Sequence, residues 1–338
     1  MWAELGPAPR GSRAVTNRPL TEEEEATVDV YLHPSPGADE SQIISELNNI
    51  PVTREKVLCL QPREWLNDEV INFFMELLKA RAAAAAELPN CHFFNTLFYA
   101  TLNGPRGYDY PGVQRWTRRV DLFAQNLLIC PIHCHGDHWT LALVNFYDKR
   151  LEYFDSLGGG DDGVLAHLRH YLQDESIDKR KVAWDDAGWT DHSWTPRRDG
   201  IPQQRNGYDC GVFMCKTADY LSQDARLNFS QDDMDYFRRR LVLEIKRKAL
   251  LDCGAADEAH ARPLERSICL AWRGAAQRTS RAQLAPEIGW RPPASAFRRH
   301  RGQQGAARLE EELARFRQHL RDGRQQIADW GAAGDAPL

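Results

Sequence analysis

Cys210 stands inside the run Pro202-Gln203-Gln204-Arg205-Asn206-Gly207-Tyr208-Asp209-Cys210-Gly211, with His138-Trp139 and Asp155 upstream. A free thiol has a pKa of about 8.5 and is mostly protonated, hence a weak nucleophile, at neutral pH. A histidine can take that proton and later return one to a leaving amine. An aspartate can hold the histidine by its other ring nitrogen and stabilise its charged form. A side-chain amide can donate to the oxyanion of a tetrahedral intermediate, a contact whose loss costs about 3–4 kcal/mol in kcat. The order His…Asp…Gln…Cys therefore contains every part of a thiol acyl-transfer site, and implies a cysteine protease. Gln203 and Gln204 both qualify as the amide, and elementary chemistry does not choose between them. Taken singly, each residue has a plainer reading. Cys210 alone would be a small buried hydrophobe, Asp155 before Ser156-Leu157-Gly158 a turn residue or cap, and either glutamine a surface loop residue. The combination carries the inference.

The elements around these residues must bring them together. A helix is expected over 210–221, so that Cys210 sits in its first turn, where the macrodipole and unpaired backbone N–H groups favour a thiolate. Asp209 is the expected N-cap, and Gly211 is expected to let a substrate backbone come close. Strands are expected over 127–132, 139–146 and 151–154, with 147–150 as the turn of a hairpin. His138 then opens one strand and Asp155 follows the next, at the same open end of the hairpin. The register is not fixed by sequence. Residues 66, 70, 71, 73, 74, 77 and 78 place an apolar stripe at helical spacing over 65–78, with Asn67 or Asp68 as N-cap and an alanine tract extending it. A capped helix is expected to start at Thr21, a short helix over 164–172 and a long one over 234–251.

Cys130, His133, Cys134, His135 and His138 form a second cluster whose types suit zinc. They span the end of a strand, where side chains alternate faces, and no second ligand pair follows at zinc-finger spacing, so no metal is expected. The bulk properties exclude other classes. A formal net charge of −5 gives no electrostatic case for nucleic acid or an anionic membrane. No segment approaches the roughly 20 apolar residues of a spanning helix. The amino-terminal residues lack the basic and apolar regions of a secretory signal. Eight cysteines scattered through a chain of this length then point to reduced thiols. Residues 1–18 are expected to be a disordered leader. After about Cys253 the chain turns rich in Ala, Arg, Gly and Pro, with one strongly helical stretch over 307–330.

Together these motifs resemble the ubiquitin-like-protein-specific proteases, the SUMO or sentrin-specific family. The resemblance spans roughly residues 19–252. It rests on WLNDEVINFFMELL (65–78), FNTLFY (94–99), RWTRRVDLF (115–123), PIH…HW (131–139), YFDSLGG (153–159), YLQDES (171–176) and PQQRNGYDCGVF (202–213). It implies an α+β, papain-like cysteine protease fold, with a central, mostly antiparallel sheet flanked by helices. It implies that His138, Asp155 and Cys210 are catalytic, with Gln204 at the oxyanion hole. Trp65 and Trp139 match two tryptophans that sandwich the modifier's C-terminal Gly-Gly, a tunnel that passes only residues without side chains. Asp68 matches an acidic position that pairs with a basic residue of the modifier, with helix capping as its rival role.

The implied activity is a SUMO-specific thiol isopeptidase, serving precursor maturation and release from target lysines. No cofactor is implied. The implied partners are SUMO and SUMO-conjugated proteins, the enzyme is a monomer, and its compartment is the nucleus, with cytoplasm second. The alternatives are the same chemistry on a Nedd-type modifier, or a non-catalytic SUMO-binding module. Two departures are visible: Tyr208 where many relatives carry Ser, and Leu97 in place of an aromatic. The tail over 253–338 has no counterpart in the family's catalytic domain.

Overall fold

The computed structural model describes residues 15–251. The leader over 1–14 and the tail with its expected helix at 307–330 lie outside the described residues. The leader expected over 1–18 is too long at its far end. Val15 is buried, Asn228 Nδ2 donates to its carbonyl, and Arg18 forms a fork on Glu24 at 2.6 and 2.7 Å. Chain order then runs α1 (Glu22–Leu32), β1 (Ile43–Leu47), β2 (Ile50–Thr53), α2 (Arg54–Val57), α3 (Asp68–Ala84), β3 (Cys91–Phe93), α4 (Leu97–Leu102), β4 (Asn103–Gly104), β5 (Gly107–Tyr108) and α5 (Tyr110–Val113). It continues with β6 (Leu127–Cys134), β7 (His138–Asn145), β8 (Arg150–Phe154), α6 (Val164–Glu175), β9 (Thr190–Trp194), α7 (Pro196–Asp199), α8 (Cys210–Leu221) and α9 (Met234–Arg247).

A five-stranded sheet in the order β3-β6-β7-β8-β9 forms the centre. The long inner pairings, β6 with β7 and β7 with β8, are antiparallel, while the two edge strands add in parallel. Alternation along the strands divides the core between two faces. Leu127, Ile129, Trp139, Leu141, Leu143 and Phe154 face one cluster, shared with α3, α8 and α9. Leu128, Cys130, Ile132, Ala142, Val144, Leu151 and Tyr153 face the other, shared with α4 and α6. Helices flanking a mostly antiparallel sheet are the α+β arrangement expected.

Three local features position the site. The hairpin between β7 and β8 turns at Asn145, whose Oδ1 accepts the N–H groups of Tyr147 and Asp148 at 3.1 Å each, with Lys149 in the left-handed region. Helix α8 starts at Cys210 as expected but is buried along its whole length rather than on one face, and it packs against β7. Helix α9 ends at Arg247 rather than at 251, because Lys248 adopts φ 54° and its N–H turns back to Glu244 and Ile245.

Candidate active site

Cys210 is the first residue of α8 and only 2% exposed. The loop before it is shaped by Asn206, whose Oδ1 accepts the N–H groups of Tyr208 and Asp209, each at 3.1 Å. Asp209 does not cap the helix. Its Oδ2 accepts from Asn206 Nδ2 at 2.6 Å and Gln231 Nε2 at 2.7 Å, and its Oδ1 accepts from Arg238. The expected cap is thus an anchor for the nucleophile loop, and the first N–H groups of α8 have no side-chain cap.

His138, at the start of β7, reaches Asp155, just past the end of β8. Nε2 lies 2.8 Å from Asp155 Oδ1. The register Leu141↔Phe154 supplies the alignment that sequence left open. The Cys210 thiol is the other group that acts on the ring's charge. With Nε2 engaged by Asp155, Nδ1 is the ring nitrogen that faces the thiol. Burial of the imidazole opposes its charge. The hydrogen bond to Asp155 and the influence of Cys210 outweigh that and raise its pKa from 6.5 to about 10. For Asp155, burial is likewise outweighed, by His138 and by the N–H groups of Leu157 and Gly159, so its carboxyl is held below the usual 3.8. Asp155 Oδ1 accepts from Leu157 N at 2.8 Å and Oδ2 from Gly159 N at 2.7 Å. Asp155 thus closes its own turn and at the same time meets His138.

Of the two glutamines, Gln203 is exposed and Gln204 is 3% exposed. Ser156 Oγ donates to Gln204 Oε1 at 2.9 Å, and Gln204 N donates to Ser156 O at 2.9 Å. The glutamine is thereby tied to the Asp155 loop, and the Asn206 carbonyl, which can only accept, fixes which end of the amide is the donor. Nε2 donates to Asn206 O at 2.7 Å, with a longer 3.4 Å contact to Asn206 Oδ1.

Gly211 has a different partner from the one expected. A Cβ there would lie 2.8 Å from Leu66 Cβ, so the glycine makes room for Leu66 rather than for a substrate backbone. On either side of Leu66 the two tryptophans tie separate chain segments together. Trp65, 52% exposed, donates from Nε1 to Gly207 O at 2.9 Å. Trp139, 5% exposed and part of the core, donates from Nε1 to Leu66 O at 3.1 Å and stacks on His133 at 4.2 Å. Asn67, not Asp68, is the N-cap of α3, accepting from Val70 N at 3.0 Å. Asp68 is exposed, and its capping role is excluded.

The Cys/His cluster is dispersed. His133 stacks on Trp139, Cys134 meets Thr140 and Tyr153 hydroxyls, His135 pairs with Asp162 and His138 with Asp155. Among the described residues, no three His, Cys, Asp or Glu side chains converge as metal ligands.

A buried thiol at a helix start, an imidazole under that thiol's influence and a carboxylate bonded to the imidazole make up a thiol acyl-transfer set. The model of the Ulp1 protease family C-terminal catalytic domain matches residues 64–252, a span that holds all three. The chain belongs to the Ulp1 protease family.

Ulp1-family relatives agree in sequence and in structure. The chain is 42% identical over 236 residues to "Ubiquitin-like-specific protease ESD4" of Arabidopsis thaliana, covering 68% of this chain and 47% of that one. It is 40% identical over 232 residues to "Sentrin-specific protease 2" of Homo sapiens, covering 69% of this chain and 38% of that one. The chain thus spans less than half the length of these two curated relatives. Among solved structures, the C-terminal Ulp1 protease domain in complex with Smt3, the yeast ortholog of SUMO, superposes with a TM-score of 0.56 at 29% identity, over 68% of this chain and 96% of that one.

Sequence reasoning missed Arg238. It sits in the run Arg238-Arg239-Arg240, which looks like a solvated face, yet it is 1% exposed. The available signal was helical spacing, since 238 lies on the face of Met234, Leu241 and Ile245, all buried.

Proposed function

We propose that this chain is a thiol isopeptidase that cleaves after the C-terminal Gly-Gly of a SUMO-type modifier, both in the precursor and on target lysines. The observation that carries the reading is His138, held to Asp155 at 2.8 Å, with its pKa raised to about 10 by Asp155 and Cys210 together. An imidazolium at neutral pH is the partner a thiolate needs. The domain doing this work is 19–252.

The Cys210 thiolate attacks the glycine carbonyl carbon, and the carbonyl electron pair moves onto oxygen. The oxyanion takes the Cys210 backbone N–H and one N–H of Gln204, replacing the long contact to Asn206 Oδ1. His138 passes its proton to the leaving lysine amine, the C–N bond breaks, and a thioester remains. A water, deprotonated by His138, hydrolyses the thioester and returns the thiol. Asp155 keeps the imidazole oriented throughout.

A nucleophile that is only 2% exposed suits a chain end without side chains, and exposed Trp65 facing the Gly207 carbonyl supplies the outer wall of such a passage. Trp139 forms the inner wall, and exposed Asp68 offers a carboxylate to a basic residue of the modifier. The SUMO reading is supported by the names of the relatives, sentrin-specific proteases and a Ulp1 domain bound to Smt3. A SUMO-conjugated partner set, a monomeric enzyme and a nuclear location belong to the same proposal. Among the described residues no helix is long and apolar enough to cross a membrane.

The test is covalent capture. SUMO bearing an alkyne electrophile at its terminal glycine should couple to the wild-type chain and not to Cys210→Ser. Coupling of only a Nedd-type probe would move the specificity, and coupling of neither would favour a binding module.

A further inference from the structure

Arg238 of α9 carries a guanidinium whose contacts all lie inside the protein. Nε and Nη2 donate to Asp209 Oδ1 at 2.9 and 2.7 Å. Nη2 also donates to Tyr208 O at 3.1 Å and Glu64 O at 2.7 Å. Nη1 donates to Cys59 O at 3.0 Å and Gln61 O at 3.1 Å. Two chain segments far apart in sequence thus meet on one side chain. One is 208–209, which delivers Cys210. The other is 59–64, which leads into Trp65 and Leu66. Beyond the guanidinium the same two segments touch again, through Trp65 Nε1 to Gly207 O and through Leu66 against Gly211.

A stability role alone would not need this arrangement. A buried cation is costly to desolvate and, where only packing is at stake, is often replaceable by apolar groups. The planar fork of arginine offers five N–H groups in fixed directions, which one ammonium cannot match. Here those directions set the distance between the nucleophile loop and the segment bearing the outer tryptophan.

Resting on the function proposed above, we infer that Arg238 is a positioning residue for the cleavage reaction: it locks the loop that delivers Cys210 to the Trp65–Leu66 wall. It touches neither substrate nor reacting atoms. It acts through Asp209 and through the carbonyls of 59–64. Loss of the fork lets the two walls shift relative to each other, and misalignment of about 1 Å is enough to cost about 10²-fold in rate.

The test compares wild type with Arg238→Lys and Asp209→Asn in the full chain. Lysine keeps the charge and loses the fork, and asparagine keeps the shape and loses the charge. Three quantities are read: kcat and KM on a SUMO–fluorophore amide, Tm, and hydrogen exchange of the Trp65 indole N–H, assigned by its disappearance in Trp65→Phe. In Arg238→Lys the expected result is a fall in kcat of about tenfold or more, with KM changing by less, because alignment rather than uniform binding is lost. The Trp65 N–H should exchange faster while amides of α6, remote from Arg238, stay protected. A folded Arg238→Lys with kcat within about twofold of wild type and unchanged Trp65 exchange overturns the inference. Should Arg238→Lys not fold, Asp209→Asn decides on the same readouts: a smaller fall in kcat with faster exchange supports the lock, and wild-type values refute it. Should wild type cleave no SUMO, the proposed function fails, and Trp65 exchange alone judges Arg238, acceleration supporting the lock and its absence refuting it.

Discussion

Gly159 donates its N–H to Asp155 Oδ2 at 2.7 Å, and a Cβ on Gly159 would lie 2.6 Å from that same oxygen. The Asp155 loop is therefore wrapped so tightly around its own carboxylate that only glycine fits. Gly158, at φ 86°, makes the turn that brings Gly159 back. Gly159→Ala must push the carboxylate or the loop aside, and Asp155 is the group that orients His138. Turnover of a Gly-Gly-ended substrate should fall by about tenfold or more, with a small change in Tm. A variant with wild-type kcat would show that the carboxylate's position is not critical.

Removing the carboxylate's charge has a definite sign. In the folded protein His138 has a pKa of about 10 against 6.5, so its contribution to stability is complete below 6.5 and is lost as pH rises toward 10. Asp155, held below 3.8, contributes stability above that value and loses it as pH falls through its lowered folded value. In Asp155→Asn the influences that raise the imidazole pKa shrink while burial, which lowers it, remains. The alkaline limb of kcat/KM should move to lower pH, alongside a lower maximum. An alkaline limb unmoved by Asp155→Asn would mean that another group controls it.

The tryptophans divide by burial. Trp139, at 5% exposure, is core as well as cleft, so Trp139→Ala should cost about 3–5 kcal/mol of stability and say little about catalysis. Trp139→Phe retains most of the packing but drops the bond to Leu66 O. It should fold, by circular dichroism, and turn over more slowly. Trp65→Ala, at an exposed site, should leave Tm nearly unchanged and raise KM for the modifier. Unaltered kinetics in both Trp139→Phe and Trp65→Ala would remove the Gly-Gly passage from the account.

Gln204→Leu should lower kcat by about 10²- to 10³-fold through loss of the oxyanion donor. The neighbouring Gln203→Leu, at an exposed loop position, should be nearly silent. Steady-state kinetics on the pair settles which amide serves, and equal effects would count against an oxyanion role for Gln204.

The central hairpin was legible as two apolar runs either side of a polar turn, and helix α3 as an apolar stripe at helical spacing. The edge strands were not. β3 has three residues and β9 reads Thr-Asp-His-Ser-Trp, too short or too polar to show a period. The types of His138, Asp155, Gln204 and Cys210 were visible, but the contact of His138 with Asp155 depended on the β7–β8 register, which local sequence does not encode. Asp209 and Gly211 were assigned by local chemistry, a cap and a gap for substrate. Both instead serve partners distant in sequence, Arg238 and Leu66, which only the tertiary fold reveals.

The most direct test of the proposed activity is a single gel. The purified chain is incubated with a SUMO precursor, a SUMO–lysine conjugate and a Nedd-type precursor, beside the same reactions with Cys210→Ser. The account predicts cleavage of both SUMO substrates after Gly-Gly, no cleavage of the Nedd-type precursor, and none of any by Cys210→Ser. Cleavage that persists in Cys210→Ser, or no cleavage of either SUMO substrate by the wild type, would contradict it.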